Sequence, residues 1–328
     1  MRTITLEEHF ATADLIKGPG QLLMRAFSDQ PVAVKQGVRI IEQLCDLGDG
    51  RIKDMDNAGI DVQVLSLTAP GVEQSEGTEA VEIARDANDR LAAAVQSHPD
   101  RFVGLAALPT PLPDRAAQEL ERMVRKHGFK GAVINGHVRG RYLDDKFFWP
   151  ILEQAESLGV PIYLHPAIPT QTVIGAYYAG NYAGAVTAML ATGAWGWHIE
   201  TAIHVLRIIL SGVFDKYPKL QIIIGHLGET LPFMLQRLDD NLPRETTKLN
   251  RAIGEYLRDN IYYTTSGFNY TQPFLNLLLQ VGAGRIIFSA DYPYCSMESS
   301  RTFLDQLPVS QDDKEKIAYG NARGLLGI

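Results

Sequence analysis

Pro161-Ile162-Tyr163-Leu164-His165-Pro166 is a short, unbroken apolar run that ends in an imidazole and a proline. It does not alternate between apolar and polar residues, so it reads as a strand buried on both faces, the kind that parallel sheets require. The same pattern recurs at Ile4–Leu6, Val62–Leu67, Phe102–Ala106, Ala132–Ile134, Gln221–Ile224, Ile261–Thr264 and Arg285–Phe288, which makes eight strands in all. Helical stretches separate them. Asp114 precedes Arg115–His127 as an N-cap, with Gly128 just past its end. Glu79–Ser97 runs up to Pro99, Glu200–Tyr217 runs up to Pro218, and Leu304–Ile328 is mostly helical. Eight strands alternating with helices over one continuous chain predict an α/β fold, a (β/α)8 TIM barrel, with an open doubly wound sheet as the alternative. Two stretches exceed a minimal barrel, Ala11–Gly50 after strand one and Ala167–Trp197 after strand five. Insertions after strands lie on the active-site face of a barrel.

The chain has 328 residues, within the range of one barrel, and residues 1–328 read as a single domain. A net charge of −7, with both signs scattered, gives no footprint for nucleic acid or an anionic membrane. Two cysteines, Cys45 and Cys295, far apart, make neither a disulfide framework nor a cysteine zinc site. The opening residues carry Glu7 and Glu8 where a signal peptide would be apolar, and no run is long enough to span a bilayer. The expected location is the cytoplasm.

The residues just after the strands carry the chemistry. Strand one leads to Glu7-Glu8-His9, strand five to His165, strand six to His226, and strand eight to Asp291. Residues two apart on a strand point the same way, so Glu7 and His9 can reach one ion while Glu8 points elsewhere. His165 and Asp291 complete a set of two nitrogens and two oxygens that suits zinc and equally suits manganese. A lone strand-end histidine is usually structural; four strand ends that all carry such groups are not an ordinary accident. His226 and Glu229 form a second pair, a base with a carboxylate that could orient it. His198 closes the second insertion and is a candidate substrate contact, whereas His204 reads as structural. Phe10, Phe268, Tyr292 and Trp197 are candidate walls for a ring and equally candidate core; Tyr292 is favoured because it adjoins Asp291.

These segments resemble the amidohydrolase superfamily. The chain is similar to the group containing aminocarboxymuconate-semialdehyde decarboxylase and the nonoxidative benzoate decarboxylases, above all the γ-resorcylate and 2,3-dihydroxybenzoate decarboxylases. Leu-Glu-Glu-His-Phe (6–10), Leu-Ser-Leu-Thr-Ala-Pro-Gly (65–71), Tyr-Leu-His-Pro (163–166), Ile-Gly-His-Leu-Gly-Glu (224–229) and Phe-Ser-Ala-Asp-Tyr-Pro (288–293) carry the resemblance, in order along the whole chain. It implies that Glu7, His9, His165 and Asp291 hold one divalent metal ion, Zn2+ or Mn2+, and that His226 and Glu229 are the catalytic pair. It implies that Arg237 helps bind the substrate, in some relatives across a subunit boundary, and that the protein is a homodimer or homotetramer. The implied reaction is decarboxylation of a small aromatic acid resembling 2,6- or 2,3-dihydroxybenzoate, with Asp291 protonating the ring carbon before CO2 leaves. Metal-dependent hydrolysis of an aromatic lactone, ester or amide is the alternative, and a non-catalytic barrel a more remote one. Glu-x-His replaces the superfamily's usual His-x-His, and Asn135 stands where binuclear members carry a carboxylated lysine. Both differences point to one metal. The Gly136–Tyr142 loop looks short, and His-Pro-Ala-Ile-Pro (165–169) replaces His-Pro-Arg-Asn-Pro, which leaves the ring substitution open.

Overall fold

The computed structural model describes residues 1–21 and 31–328. Among the described residues nine strand segments run in chain order: β1 (Ile4–Phe10), β2 (Val62–Leu67), β3 (Phe102–Gly104), β4 (Ala106–Ala107), β5 (Ala132–Asn135), β6 (Ile162–His165), β7 (Ile222–Ile224), β8 (Ile261–Thr264) and β9 (Ile286–Ile287). Every strand pairs parallel with its neighbour in sequence, as β1-β2-β3 and as β4 through β9. The stretch read as one strand, Phe102–Ala106, divides at Leu105. Leu105 donates to Leu65 of β2, and Ala106 donates to Gly131 just before β5. β3 and β4 are thus two halves of one strand position, each serving a different neighbour. At the other seam Glu8 and Tyr292 form a parallel bridge, His9 N–H donates to the Tyr292 carbonyl, and Asp291 N–H donates to the Glu7 carbonyl. The chain beyond β9 is therefore bonded to β1. Helices follow the strands, among them Gly77–Ser97, Pro113–His127, Trp149–Leu158, Gly196–Leu210, Leu231–Asn241 and Thr271–Val281.

Two apolar layers follow from strand alternation. Ile4, Leu6, Val62, Val64, Leu105, Val133, Tyr163, Ile223 and Ile287 pack inside the ring of strands. Ile162, Leu164, Ile222 and Ile224 face the helices. Alternation carried to the strand ends turns Ser66, Asn135 and His165 inward. In β1 the same count would turn Glu8 inward after Ile4 and Leu6, but the register against β2 shifts between Thr5 and Glu8. This bulge passes the inward face to Glu7 and His9, and re-aiming a side chain beside an active site is what bulges commonly do.

Some boundaries differ from those read off the sequence. Asp114 is not the N-cap of its helix: Pro113 already occupies the first turn and Asp114 sits inside it, where its charge still favours the helix N-terminus. Gly128 does adopt the left-handed C-cap conformation. The helix expected over Glu200–Tyr217 starts at Gly196 and breaks near Gly212, whose positive φ of 78° interrupts it before Val213–Lys216. The insertion expected over Ala11–Gly50 contains helices Ala13–Lys17 and Pro31–Cys45; its residues 22–30 lie outside those described. The second insertion, Ala167–Trp197, contains Gln171–Val173, a π-turn at Ile174–Tyr178 and helix Gly184–Ala191.

Candidate metal centre

Glu7 is fully buried at the centre of the site. Its Oε2 accepts from the hydroxyls of Tyr163, Thr264 and Ser266, which come from β6, from β8 and from the turn after it. Its Oε1 has no hydrogen-bond partner among the described residues. Around that oxygen stand three imidazoles: His165 Nε2 at 3.3 Å, His226 Nε2 at 3.7 Å and His9 Nε2 at 3.9 Å. Asp291 Oδ1 lies 3.2 Å from His9 Nε2. Two overlapping ligand trios result, Glu7–His9–His165 and Glu7–His226–Asp291. Buried polar atoms without partners are costly. Glu7 Oε1, both His9 ring nitrogens and His165 Nδ1 are such atoms. A divalent cation among them would satisfy a carboxylate oxygen and imidazole nitrogens at once, so the residues present fit a metal.

The electrostatics agree. Burial alone would raise the Glu7 carboxyl, yet His226, His165 and His9 hold it well below the usual carboxylate range. Burial pushes His9 down to about 4, so it is a neutral ligand-type imidazole. Burial and the Glu7 charge push Asp291 up to about 7. Burial also opposes charge on His226, but the carboxylates of Glu229 and Glu7 outweigh it and raise that imidazole to about 10.

Backbone geometry holds these groups in place. A Cβ at Gly225 would meet Glu7 Oε2 at 2.7 Å and the Tyr163 hydroxyl at 2.9 Å, so only glycine lets β7 pass this close. The chain then turns through positive φ at His226 (51°), Leu227 (56°), Glu229 (52°) and Thr230 (69°). Strain of this kind is characteristic of functional turns. Asp291 also has positive φ, 67°. Glu8, which points away from the ligands, anchors that turn: its carboxyl accepts from Ala290 N–H at 2.9 Å and Tyr292 N–H at 3.1 Å, on either side of Asp291.

The second pair is joined by a third group. His226 Nδ1 lies 2.7 Å from Glu229 Oε1, and His198 Nδ1 lies 2.5 Å from Glu229 Oε2. His198, His226 and Glu229 also form a ligand-type trio. Each Glu229 oxygen is already within hydrogen-bonding reach of one imidazole, so the trio is complete as a hydrogen-bonded unit. Phe268 lies edge-on to His198 and His226, with ring centroids at 5.0 and 5.3 Å.

The candidate substrate contacts separate. Phe10 is buried in the outer core. Tyr292 does not present its ring to the ligands: its hydroxyl donates to Asp54 and its face lies 4.9 Å from the Arg51 guanidinium carbon. Tyr294, two residues on, meets His9 instead, at 5.5 Å between ring centroids. Trp197 is half-buried, and Arg237 is exposed on its helix. His204 is structural, its Nε2 accepting from Leu143 N–H.

Sequence reading missed several residues. Tyr163, two before His165 on one strand, was within reach of the alternation argument. Arg51 was not: fully buried, it donates to the carbonyls of His9, Gln43 and Asp46, and nothing local to its helix signals that. Cys295 places Sγ 3.9 Å from Asp291 Oδ2.

Glu73 is a further buried acid, accepting Asn135 N–H at the end of β5. Burial pushes its carboxyl from 4.5 up to about 8. The folded state therefore favours the protonated form. The group's contribution to stability is intact below about 4.5, falls as pH rises, and levels off above about 8. Glu73→Gln keeps the acceptor and removes the titration. Its gain in Tm over the parent is expected to be larger at pH 8 than at pH 5, by at least about 2 °C. Equal gains at both pH values would show that Glu73 ionises freely in the fold.

A parallel barrel with carboxylates and imidazoles gathered at its strand ends defines a metal-binding enzyme of the (β/α)8 type. Residues 42–328 match the family described as Amidohydrolase. The chain belongs to that family. It is 39% identical to the γ-resorcylate decarboxylase of Polaromonas sp. strain JS666, over 99% of this chain and 98% of that one. Among solved structures, the dihydroxybenzoic acid decarboxylase of the same organism, with bound manganese and the inhibitor 2-nitroresorcinol, is 38% identical, with a TM-score of 0.89 over 99% of this chain and 97% of that one. A 2,6-dihydroxybenzoate decarboxylase complexed with 2,6-dihydroxybenzoate is 35% identical, with a TM-score of 0.88 over all of both chains.

Proposed function

We propose that the protein is a metal-dependent carboxy-lyase that removes CO2 from an aromatic acid bearing a hydroxyl beside its carboxylate. The observation that carries this is the convergence of Glu7, His9, His165 and Asp291 with the His226–Glu229 pair at one mouth. Full-length relatives of that activity favour decarboxylation over the hydrolytic alternative. Glu7, His9, His165 and Asp291 would hold the metal, manganese or zinc, which supplies Lewis acidity and a template for the carboxylate and phenol oxygens. Asp291 delivers a proton to the ring carbon that bears the carboxylate. The ring carbon gains a hydrogen, the carbon–carbon bond breaks, and its electron pair restores the aromatic ring as CO2 departs. Protonating first avoids a free aryl carbanion. His226, held by Glu229, supplies positive charge and a second proton site beside Asp291. Residues 1–328 act as one catalytic unit.

The test is CO2 release from 2,6-, 2,3- and 2,4-dihydroxybenzoate, salicylate and 5-carboxyvanillate, with metal-stripped protein given manganese or zinc. Metal-dependent release supports the reading and names the ring pattern. No release from protein shown to hold metal would overturn it.

The protein is further proposed to be a homodimer or homotetramer. Phe233 (79% exposed) and Leu279 (85%) leave large apolar surface open on helices Leu231–Asn241 and Thr271–Val281. Arg237 lies one helical turn beyond Phe233 and shares its face. In an assembly covering that face Arg237 would lie at the subunit boundary. Arg237→Ala is expected to raise KM by about tenfold, on the order of one lost charge-assisted hydrogen bond, with metal content unchanged. Loss of metal in that variant would exclude a substrate-binding role.

A further inference from the structure

We infer that His198 is a positioning residue for the proposed decarboxylation: it clamps the outer oxygen of Glu229 and anchors that clamp to the backbone of the 167–197 insertion. The inference rests on the decarboxylase reading for its kinetic consequence, but not for its geometry.

Four contacts in series make the case. Gly193, in the insertion, offers its carbonyl to His198 Nε2 at 3.1 Å. His198 Nδ1 meets Glu229 Oε2 at 2.5 Å, Glu229 Oε1 meets His226 Nδ1 at 2.7 Å, and His226 Nε2 faces Glu7 Oε1 at 3.7 Å. A carbonyl can only accept, so His198 Nε2 carries hydrogen. The contact on the other side needs one further hydrogen, carried by Nδ1 or by Oε2. Both nitrogens of His198 are thereby engaged and none is free for a substrate, which replaces the expectation that His198 touches it. Its only ion-pair partner among the described residues is Glu229. His226 and Phe268 lie edge-on against its ring. Both His198 and Glu229 are buried.

The physical consequence concerns orientation. A carboxylate bonded on one oxygen can rotate about its last torsion; one bonded on both is fixed. Glu229 fixed in this way sets the His226 ring plane, and with it the position of Nε2 over Glu7. Because the outer anchor is the Gly193 carbonyl, the insertion must be seated for the His226 ring to be held.

The experiment compares His198→Ala with two variants that each keep half of the clamp. Asn places an amide N–H near the former Nδ1 and keeps the bond to Glu229. Gln reaches toward Gly193 and loses it. We expect His198→Ala and His198→Gln to lower kcat about 10–100-fold, the usual range for groups that orient a site residue. KM should stay within about twofold and metal content should be unchanged; His198→Asn should recover to within about fivefold of the parent. Parent activity in His198→Ala would overturn the inference, as would a raised KM with unchanged kcat, which marks a substrate contact. Loss of metal would mark a ligand instead. A readout independent of turnover is a strongly deshielded imidazole N–H in the proton NMR spectrum of the parent, absent from His198→Ala. If that resonance is present and no acid in the panel releases CO2, the clamp stands and the decarboxylase reading fails. If CO2 is released and the resonance is missing, the clamp fails alone.

Discussion

Asp291→Asn is expected to lower kcat roughly 10²–10⁴-fold, the range for a lost general acid, while much of the bound metal remains. Asn keeps the size of Asp and one oxygen of the same reach, but it has no carboxylic proton to give. The turn that presents residue 291 does not depend on its side chain. It is held by Glu8 through the N–H groups of Ala290 and Tyr292, by the Asp291 N–H on the Glu7 carbonyl, and by the His9 N–H on the Tyr292 carbonyl. The variant should therefore fold and present an amide where the acid stood. Without a metal, burial and the Glu7 charge push the Asp291 carboxyl up to about 7; a bound cation would draw it back down, so the acid must take up its proton as substrate binds. Asp291→Asn retaining more than about a tenth of parental kcat would remove Asp291 from proton transfer, since a true donor is worth far more. His226 would then be the nearest alternative donor.

The strands were the most readable part of the fold because their signal is local. Val62–Leu67 and Ile261–Thr264 have the bounds that their apolar runs predict. The barrel expected from strands alternating with helices and the family expected from the strand-end motifs are borne out by the family match and by full-length structural neighbours. The features that escaped depend on contacts between distant segments. The β1 bulge is an example: Ile-Thr-Leu-Glu-Glu-His gives no sign of it, and only pairing with β2 reveals it. Tyr292 is favoured among the candidate walls because it adjoins Asp291, but its hydroxyl is taken by Asp54 and its ring face by Arg51, both distant in sequence. His198 was placed at the site by its position after the second insertion. Its bond to Glu229 spans 31 residues, and no spacing rule predicts that pairing.

His165→Ala is expected to lose metal and activity together. His165 ends β6, its Nε2 is the imidazole nitrogen nearest Glu7 Oε1, and its Nδ1 has no partner among the described residues. Alanine there leaves the strand pairing intact, because β6 bonds to β5 and β7 through backbone. Removing a ligand should cost more than the 10–100-fold in affinity that groups supporting a ligand are worth. Calorimetry gives a readout free of turnover. Metal at about a hundred times its Kd stabilises the parent by roughly 2.7 kcal/mol, so its Tm should rise on loading, whereas His165→Ala at the same concentration should show almost no rise. The two ligand trios make this variant decisive. A metal held by Glu7, His9 and His165, with Asp291 closing the set, cannot survive the loss of His165. A metal held by Glu7, His226 and Asp291 would. Full loading of His165→Ala would thus make His226 a ligand, and an imidazole nitrogen bound to a metal has no proton there to exchange. The acid–base role would then fall to Asp291 alone, and the clamp running from His198 through Glu229 would act on metal affinity instead of on kcat.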